Sequence, residues 1–209
     1  MTRALSGHWP AMLTPVNDGG RIDTARAVAH GKHLLAAGSD GLTLFGTTGE
    51  GTAFAVAERM VLVEAFIEAG VGGSKLIVNL SALSLTDAIA LGRHAMQQGA
   101  AGAMLMPPFF FNAPRDAGVV QAVSQVIRGI DCDGLRLLLY HFPSQCNVSF
   151  SHAAIAELVQ RHPAQVAGIK DSTGDLDHSL ALVKTFPDLS ILVGCEPHVA
   201  PVMLAGGAG

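Results

Sequence analysis

Val166-Ala167-Gly168-Ile169-Lys170-Asp171 is a short apolar run that closes on a lysine. A strand of a parallel sheet or barrel rarely ends in an ammonium without a chemical reason. Burial penalises the charged form and draws a lysine pKa from about 10.4 toward about 7–8 in tuned sites. The neutral amine attacks ketones, so Lys170 is a candidate Schiff-base lysine. Taken alone, the segment also reads as a strand-end lysine that reaches solvent.

The preceding apolar run is Leu137-Leu138-Leu139-Tyr140-His141-Phe142-Pro143, and it holds the only tyrosine of the chain. Side chains alternate along a strand, so Tyr140 shares a face with Leu138, and Lys170 shares one with Gly168 and Val166. If those faces coincide, a phenol meets an amine. Gly168 beneath Lys170, together with Ala11, would leave room for a small substrate. The alternative for Tyr140 is a core aromatic with a satisfied hydroxyl. By the same parity His141 points the other way, as a structural residue between strand and helix.

Further out, strand candidates occupy residues 9–16, 41–47, 75–81, 102–106, 136–142, 166–170 and 190–194. Amphipathic stretches lie between them at 24–37, 56–69, 86–98, 117–128, 152–161, 176–186 and 198–205. Asp23 and Ser151 read as N-caps, and Gly38, Gly70, Gly99 and Gly129 as stops. A repeated strand-helix unit predicts parallel strands joined by helical crossovers. Continuous apolar strands fit a sheet covered on both faces.

Both a doubly wound sheet and a (β/α)8 barrel satisfy that pattern. After the first strand the chain runs Thr14-Pro15-Val16-Asn17-Asp18-Gly19-Gly20, which is no dinucleotide fingerprint. Polar residues gather instead at the ends of several strands: Thr47 and Thr48, Asn79 and Ser81, Tyr140, Lys170, Glu196. That distribution predicts an α/β chain of the (β/α)8 TIM-barrel class, with about seven strand-helix units present, in one domain over residues 1–209. The end, Ala205-Gly206-Gly207-Ala208-Gly209, reads as the approach to an eighth strand, so a C-terminally truncated chain is expected.

Composition narrows the class. The chain has 209 residues, is 49% hydrophobic and 14% charged, and carries a net charge of −4. No basic stripe supports nucleic-acid binding. No apolar run approaches the roughly 20 residues of a membrane helix. Met1 to Leu13 shows no signal peptide. Cys132, Cys146 and Cys195 are odd in number and widely spaced, which argues against a disulfide framework or a zinc site and predicts a cytoplasmic protein. His30 and His33 have helical spacing but no acidic partners, so no metal is expected there.

Phe45-Gly46-Thr47-Thr48-Gly49-Glu50 follows the second strand. Its glycines permit close backbone approach, and its hydroxyls and amides suit a carboxylate or phosphate. An ordinary Gly-Thr turn is the alternative. Glu50 could favour the next helix through its charge at the N-terminus. Cys195 and Glu196 follow the last strand and either line a pocket or begin a helix.

Leu13-Thr14-Pro15, the Gly46–Glu50 stretch, Pro107-Pro108-Phe109, Tyr140-His141-Phe142-Pro143, Gly168-Ile169-Lys170-Asp171, Gly194 and Gly206-Gly207-Ala208-Gly209 occur together, in one order. In this the chain resembles the dihydrodipicolinate synthase / N-acetylneuraminate lyase family over its whole length. The resemblance implies a barrel with a C-terminal helical extension, assembled as a tetramer or dimer, acting on a small 2-oxo acid without a cofactor. Residue by residue it implies that Lys170 forms the imine, Tyr140 moves protons, Thr47 and Thr48 bind the carboxylate, and Thr47 is also catalytic, linking Tyr140 to a second aromatic hydroxyl, with Gly46, Gly194, Gln145 and Glu196 lining the substrate.

Three departures stand out against that pattern. The second aromatic hydroxyl, donated by a neighbouring subunit in the family, falls in Phe109-Phe110-Phe111. Gln145 stands where the synthase has an arginine, and Asn79-Leu80-Ser81 replaces a glycine-rich turn. They count against dihydrodipicolinate synthesis and leave the imine machinery intact. The expectation is a Schiff-base lyase for pyruvate or a related 2-oxo acid, by retro-aldol cleavage or dehydration. The alternatives are 4-hydroxy-tetrahydrodipicolinate synthase, and an inactive or regulatory truncated relative.

Overall fold

The computed structural model describes residues 5–209. Residues before Leu5, part of the stretch read for a signal peptide, lie outside the described residues. The chain divides into two compact units, one over residues 8–103 and one over residues 5–7 with 104–209.

The first unit contains α1 (Thr24–Ala36), β1 (Leu42–Leu44), α2 (Val56–Glu68), β2 (Leu76–Asn79) and α3 (Leu85–Gln97). Asp23 caps α1 by accepting from the Arg26 amide at 3.0 Å. Beyond its end Gly38 takes φ +103, a conformation that an L side chain resists. Helices α1 and α2 pack together, as do α2 and α3. β1 and β2 pair in parallel, and each of their residues is buried.

The strand predicted at 9–16 does not form as a strand. Only Ala11 bridges Thr43 in parallel, through Thr43 N–H to the Pro10 carbonyl at 2.9 Å and Met12 N–H to the Thr43 carbonyl at 3.0 Å. Pro10 and Pro15 lack the N–H groups a ladder needs, and Val16 turns to an antiparallel bridge with Ile22.

β3 (Gly102–Leu105) leads into the second unit, which holds α4 (Asp116–Ile130), β4 (Leu137–His141), the short α5 (Pro143–Cys146), α6 (His152–Arg161), β5 (Val166–Asp171), α7 (Leu176–Thr185), β6 (Ser190–Val193) and α8 (Glu196–Leu204). Ser151 caps α6 by accepting from Ala154, and Asp175 caps α7 by accepting from His178. Helix α4 runs past Gly129 to Ile130, whose side chain is 3% exposed, and the left-handed turn falls on Asp131 instead (φ 55). Burying an isoleucine outweighs the local preference for stopping at glycine.

The six strands lie in the order β1 to β6, each beside its successor in sequence. Order never reverses, as it does in a doubly wound sheet. This is the α/β barrel topology expected, with six regular strands rather than seven. Ladders β4–β5 and β5–β6 are parallel. Beyond β6, Ala208 N–H reaches the Ile191 carbonyl at 2.8 Å and Val193 N–H reaches that of Gly209 at 3.0 Å. The glycine-rich end therefore aligns beside β6.

Candidate active site

The β4–β5 register sets Tyr140 opposite Lys170 and Leu138 opposite Gly168. The two predicted faces are thus one face. Tyr140 is 2% exposed, and the Lys170 Nζ sits 4.7 Å from the centre of its ring. Among the described residues no carboxylate pairs with Lys170. Burial pulls its pKa from 10.5 down to about 8.

Gly168 does not supply the hollow expected beneath the lysine. A Cβ there would fall 2.1 Å from the Ser190 carbonyl oxygen and 2.9 Å from Leu138 Cδ2. Its missing side chain lets β4, β5 and β6 approach where a register shift lies between Leu137 and Leu138.

His141 and Asp171 are the next register pair and lie on the opposite face. Asp171 Oδ2 accepts from Ser179 Oγ at 2.6 Å and meets His178 Nδ1 at 3.0 Å, and Oδ1 accepts from the Thr173 amide. Burial pushes its carboxyl pKa up, but these hydrogen bonds, Ser179 first, win and hold it below the ordinary value. His141 Nδ1 accepts from the Phe150 amide, so the neutral ring carries its proton on Nε2. Desolvation, then the neighbouring His178, draws its pKa to about 4.

His141, Asp171 and His178 form the one cluster of potential metal ligands among the described residues. Their arrangement does not suit an ion. The two imidazoles stack at 4.8 Å and 14°, His141 Nδ1 is taken by the Phe150 amide, and the carboxylate is engaged by Ser179, His178 and Thr173. The cluster anchors the residue that follows Lys170. Sequence reading placed His141 at a strand-helix interface but missed Asp171 and His178 beside it, and Ser179 as the donor to Asp171. An Asp directly after the lysine, with a Ser-containing helix start eight residues on, was the available signal.

The remaining site residues of this unit occupy its strand ends. Gly194 follows β6, and its N–H donates to the Asp171 carbonyl at 2.8 Å. A Cβ there would meet Ser172 Oγ at 2.3 Å. Glu196 is exposed and opens α8, where a carboxylate suits the helix N-terminus. Gln145 is exposed on α5, an element the sequence reading did not include.

In the first unit, Thr47 and Thr48 sit in a tight turn after β1. Phe45 has φ +62 and Glu50 φ +49, both left-handed. Glu50 N–H bonds the Thr47 carbonyl at 3.0 Å, Gly51 N–H that of Gly46 at 3.3 Å, and Thr14 Oγ1 donates to the Gly49 carbonyl at 2.7 Å. A Cβ on Gly49 would lie 2.6 Å from the Met12 carbonyl oxygen, so this glycine is sterically required. Gly46 is buried, Thr47 half-buried and Thr48 exposed. Glu50 makes no side-chain cap; it precedes a 3-10 turn at Gly51–Ala53, and α2 begins only at Val56.

The strand order defines an α/β chain of barrel topology. The family model described as "Dihydrodipicolinate synthetase family" matches residues 4–209, and the chain belongs to that family. An uncharacterized DapA-like lyase of Chloroflexus aurantiacus is 34% identical over 95% of this chain and 66% of its own length. A 4-hydroxy-tetrahydrodipicolinate synthase of Azoarcus sp. is 30% identical over 98% of this chain and 68% of its own. The crystal structure of dihydrodipicolinate synthase from Agrobacterium tumefaciens superposes with a TM-score of 0.93 at 34% identity, covering 97% of this chain and 71% of that one. The chain thus spans about two thirds of the length of the curated relatives it matches. Among the described residues no helix is long and apolar enough to cross a membrane.

Proposed function

We propose that this chain is a Schiff-base lyase acting on pyruvate or a related 2-oxo acid, within a single barrel domain. The observation that carries the reading is the Lys170 amine, desolvated to a pKa of about 8 and lying 4.7 Å over the Tyr140 ring. At pH 7 such an amine is neutral about 300 times more often than an ordinary lysine. The neutral amine adds to C2 of the keto acid, and the carbinolamine loses water to give an iminium. That cation accepts the electron pair released when a C3 proton leaves or the C3–C4 bond breaks. Tyr140 carries protons to and from the carbinolamine oxygen and C3. Family resemblance assigns the carboxylate to Thr47 and Thr48, with Gly46, Gly194, Gln145 and Glu196 as substrate-lining positions. It also implies a homo-oligomer in the cytoplasm.

Borohydride reduction in the presence of pyruvate, followed by peptide mass analysis, tests the reading. A stable adduct on the peptide carrying Lys170 is expected. An adduct spread over surface lysines, or none, would remove the proposal. Supplying candidate 2-oxo acids and measuring pyruvate release against water loss separates cleavage from dehydration.

A further inference from the structure

Arg59 of α2 is 2% exposed. Among the described residues no carboxylate pairs with it. Its Nη1 donates to the Ser81 carbonyl at 3.0 Å, its Nη2 to the Asn79 carbonyl, and its Nε is buried with no partner. Burial lowers its pKa only to about 10, so it stays charged near neutrality. A buried ion without a counter-ion is among the costliest things a fold can hold, and an apolar side chain of similar volume would serve packing better.

The groups around Arg59 connect it to one place. Its Cζ lies 5.2 Å from the centre of the Phe45 ring. Asn79, whose carbonyl takes one Arg59 N–H, donates through Nδ2 to the Phe45 carbonyl at 2.6 Å. Ser81 Oγ in turn donates to Asn79 Oδ1 at 2.7 Å. The guanidinium, the end of β2 and Phe45 thus form one bonded chain. Phe45 is the left-handed residue that launches Gly46, Thr47 and Thr48. A low-dielectric ring beside the charge does little to screen it, so its field persists toward the turn.

We propose that Arg59 is a positioning residue for the 46–50 loop, and that its unneutralised charge draws a substrate carboxylate to that loop. The inference rests on the reading of Thr47 and Thr48 as the carboxylate site. It assigns a role to a side chain which touches no substrate and lies outside the family motifs quoted above.

The test is borohydride trapping on Lys170 of the 209-residue chain, titrated with pyruvate and with hydroxyacetone, a ketone without a carboxylate. Arg59→Met should raise half-saturating pyruvate by about tenfold or more, leave the trapping rate at saturation within about threefold, and leave hydroxyacetone unchanged. Arg59→Lys, which keeps the charge but cannot bridge both carbonyls, should weaken pyruvate clearly less than Arg59→Met does and leave hydroxyacetone unchanged. Equal weakening of both ketones in Arg59→Met, or a lysine variant as impaired as the methionine one, overturns the proposal. If Arg59→Met does not fold, Arg59→Gln, which keeps a polar donor and removes the charge, should produce the same pyruvate-specific weakening; unchanged pyruvate binding overturns it. If the parent traps neither ketone, the Lys170 reading has failed. Arg59 is then judged by hydrogen exchange: pyruvate should protect amides 46–51 in the parent and not in Arg59→Met, and equal protection overturns it.

Discussion

The two faces of the β4–β5 ladder treat ionisable groups in opposite ways. On one face Tyr140 and Lys170 meet, and the amine is left without a carboxylate, its charged form disfavoured by burial. On the other, one residue along, His141 and Asp171 meet, and nearly every polar atom is engaged: Asp171 by Ser179, His178 and Thr173, His141 by the Phe150 amide. A satisfied network fixes the strand ends; an amine with no carboxylate beside it, its charge disfavoured by burial, is available for reaction. Stability and reactivity are thus assigned to alternate residues of the same two strands, which the period of two makes possible.

The sharpest way to break this contrast is Lys170→Met. Adduct formation with pyruvate should vanish, while the melting temperature holds or rises, because a desolvated amine is removed and nothing is left unpaired. Trapping by the parent should increase with pH toward a midpoint near 8, as the amine loses its proton. A midpoint near 10.5 would mean that burial does not reach the nitrogen.

Tyr140→Phe keeps the ring under the ammonium and removes the hydroxyl. Adduct formation at saturating pyruvate should slow by about 10²- to 10⁴-fold with the Lys170 midpoint near its original pH. A rate within twofold would take proton transfer away from Tyr140.

The opposite face should answer in stability rather than rate. His141 stays neutral in the fold to about pH 4, whereas the unfolded chain protonates it near 6.5. Between those values the unfolded state binds more protons, so this contribution is complete above 6.5 and is lost as pH falls through 4. The loss is about 3 kcal/mol if His141 alone acts, read from urea midpoints against pH. Asp171 has the same sign lower down: its lowered pKa contributes stability above the ordinary 3.8, lost as pH falls below it. His141→Gln should flatten the limb between pH 6.5 and 4.

Ser179→Ala is the mildest change. It removes one donor to a buried carboxylate and should cost about 1.5–3 kcal/mol, with pyruvate half-saturation unaltered. A large loss of trapping here would mean that the two faces are coupled through Asp171.

Much of this was legible in the sequence, for identifiable reasons. Helix α6 was predicted over its observed residues because Ser151 caps it and Pro163 follows. Parity within each strand groups Tyr140 with Leu138 and Lys170 with Gly168, but the β4–β5 register decided that the two faces are one. The 9–16 segment was misread because its apolar residues outweighed two prolines whose missing N–H groups stop a ladder. Gly168 was read as space for a substrate, but an absent side chain says nothing about which neighbour fills it.

Local chemistry along the chain determined the alternation of strands and helices, the caps, and the candidate lysine, tyrosine and threonine pair. These follow from period, capping and residue type, which act over a few positions. Only the folded chain decided that the amine would lack a carboxylate while Asp171 gathered three partners, that Arg59 would be buried without a counter-ion, and that β6 would neighbour residues 208–209. Those outcomes depend on desolvation and on contacts between distant segments. Residue order does not encode either of them locally.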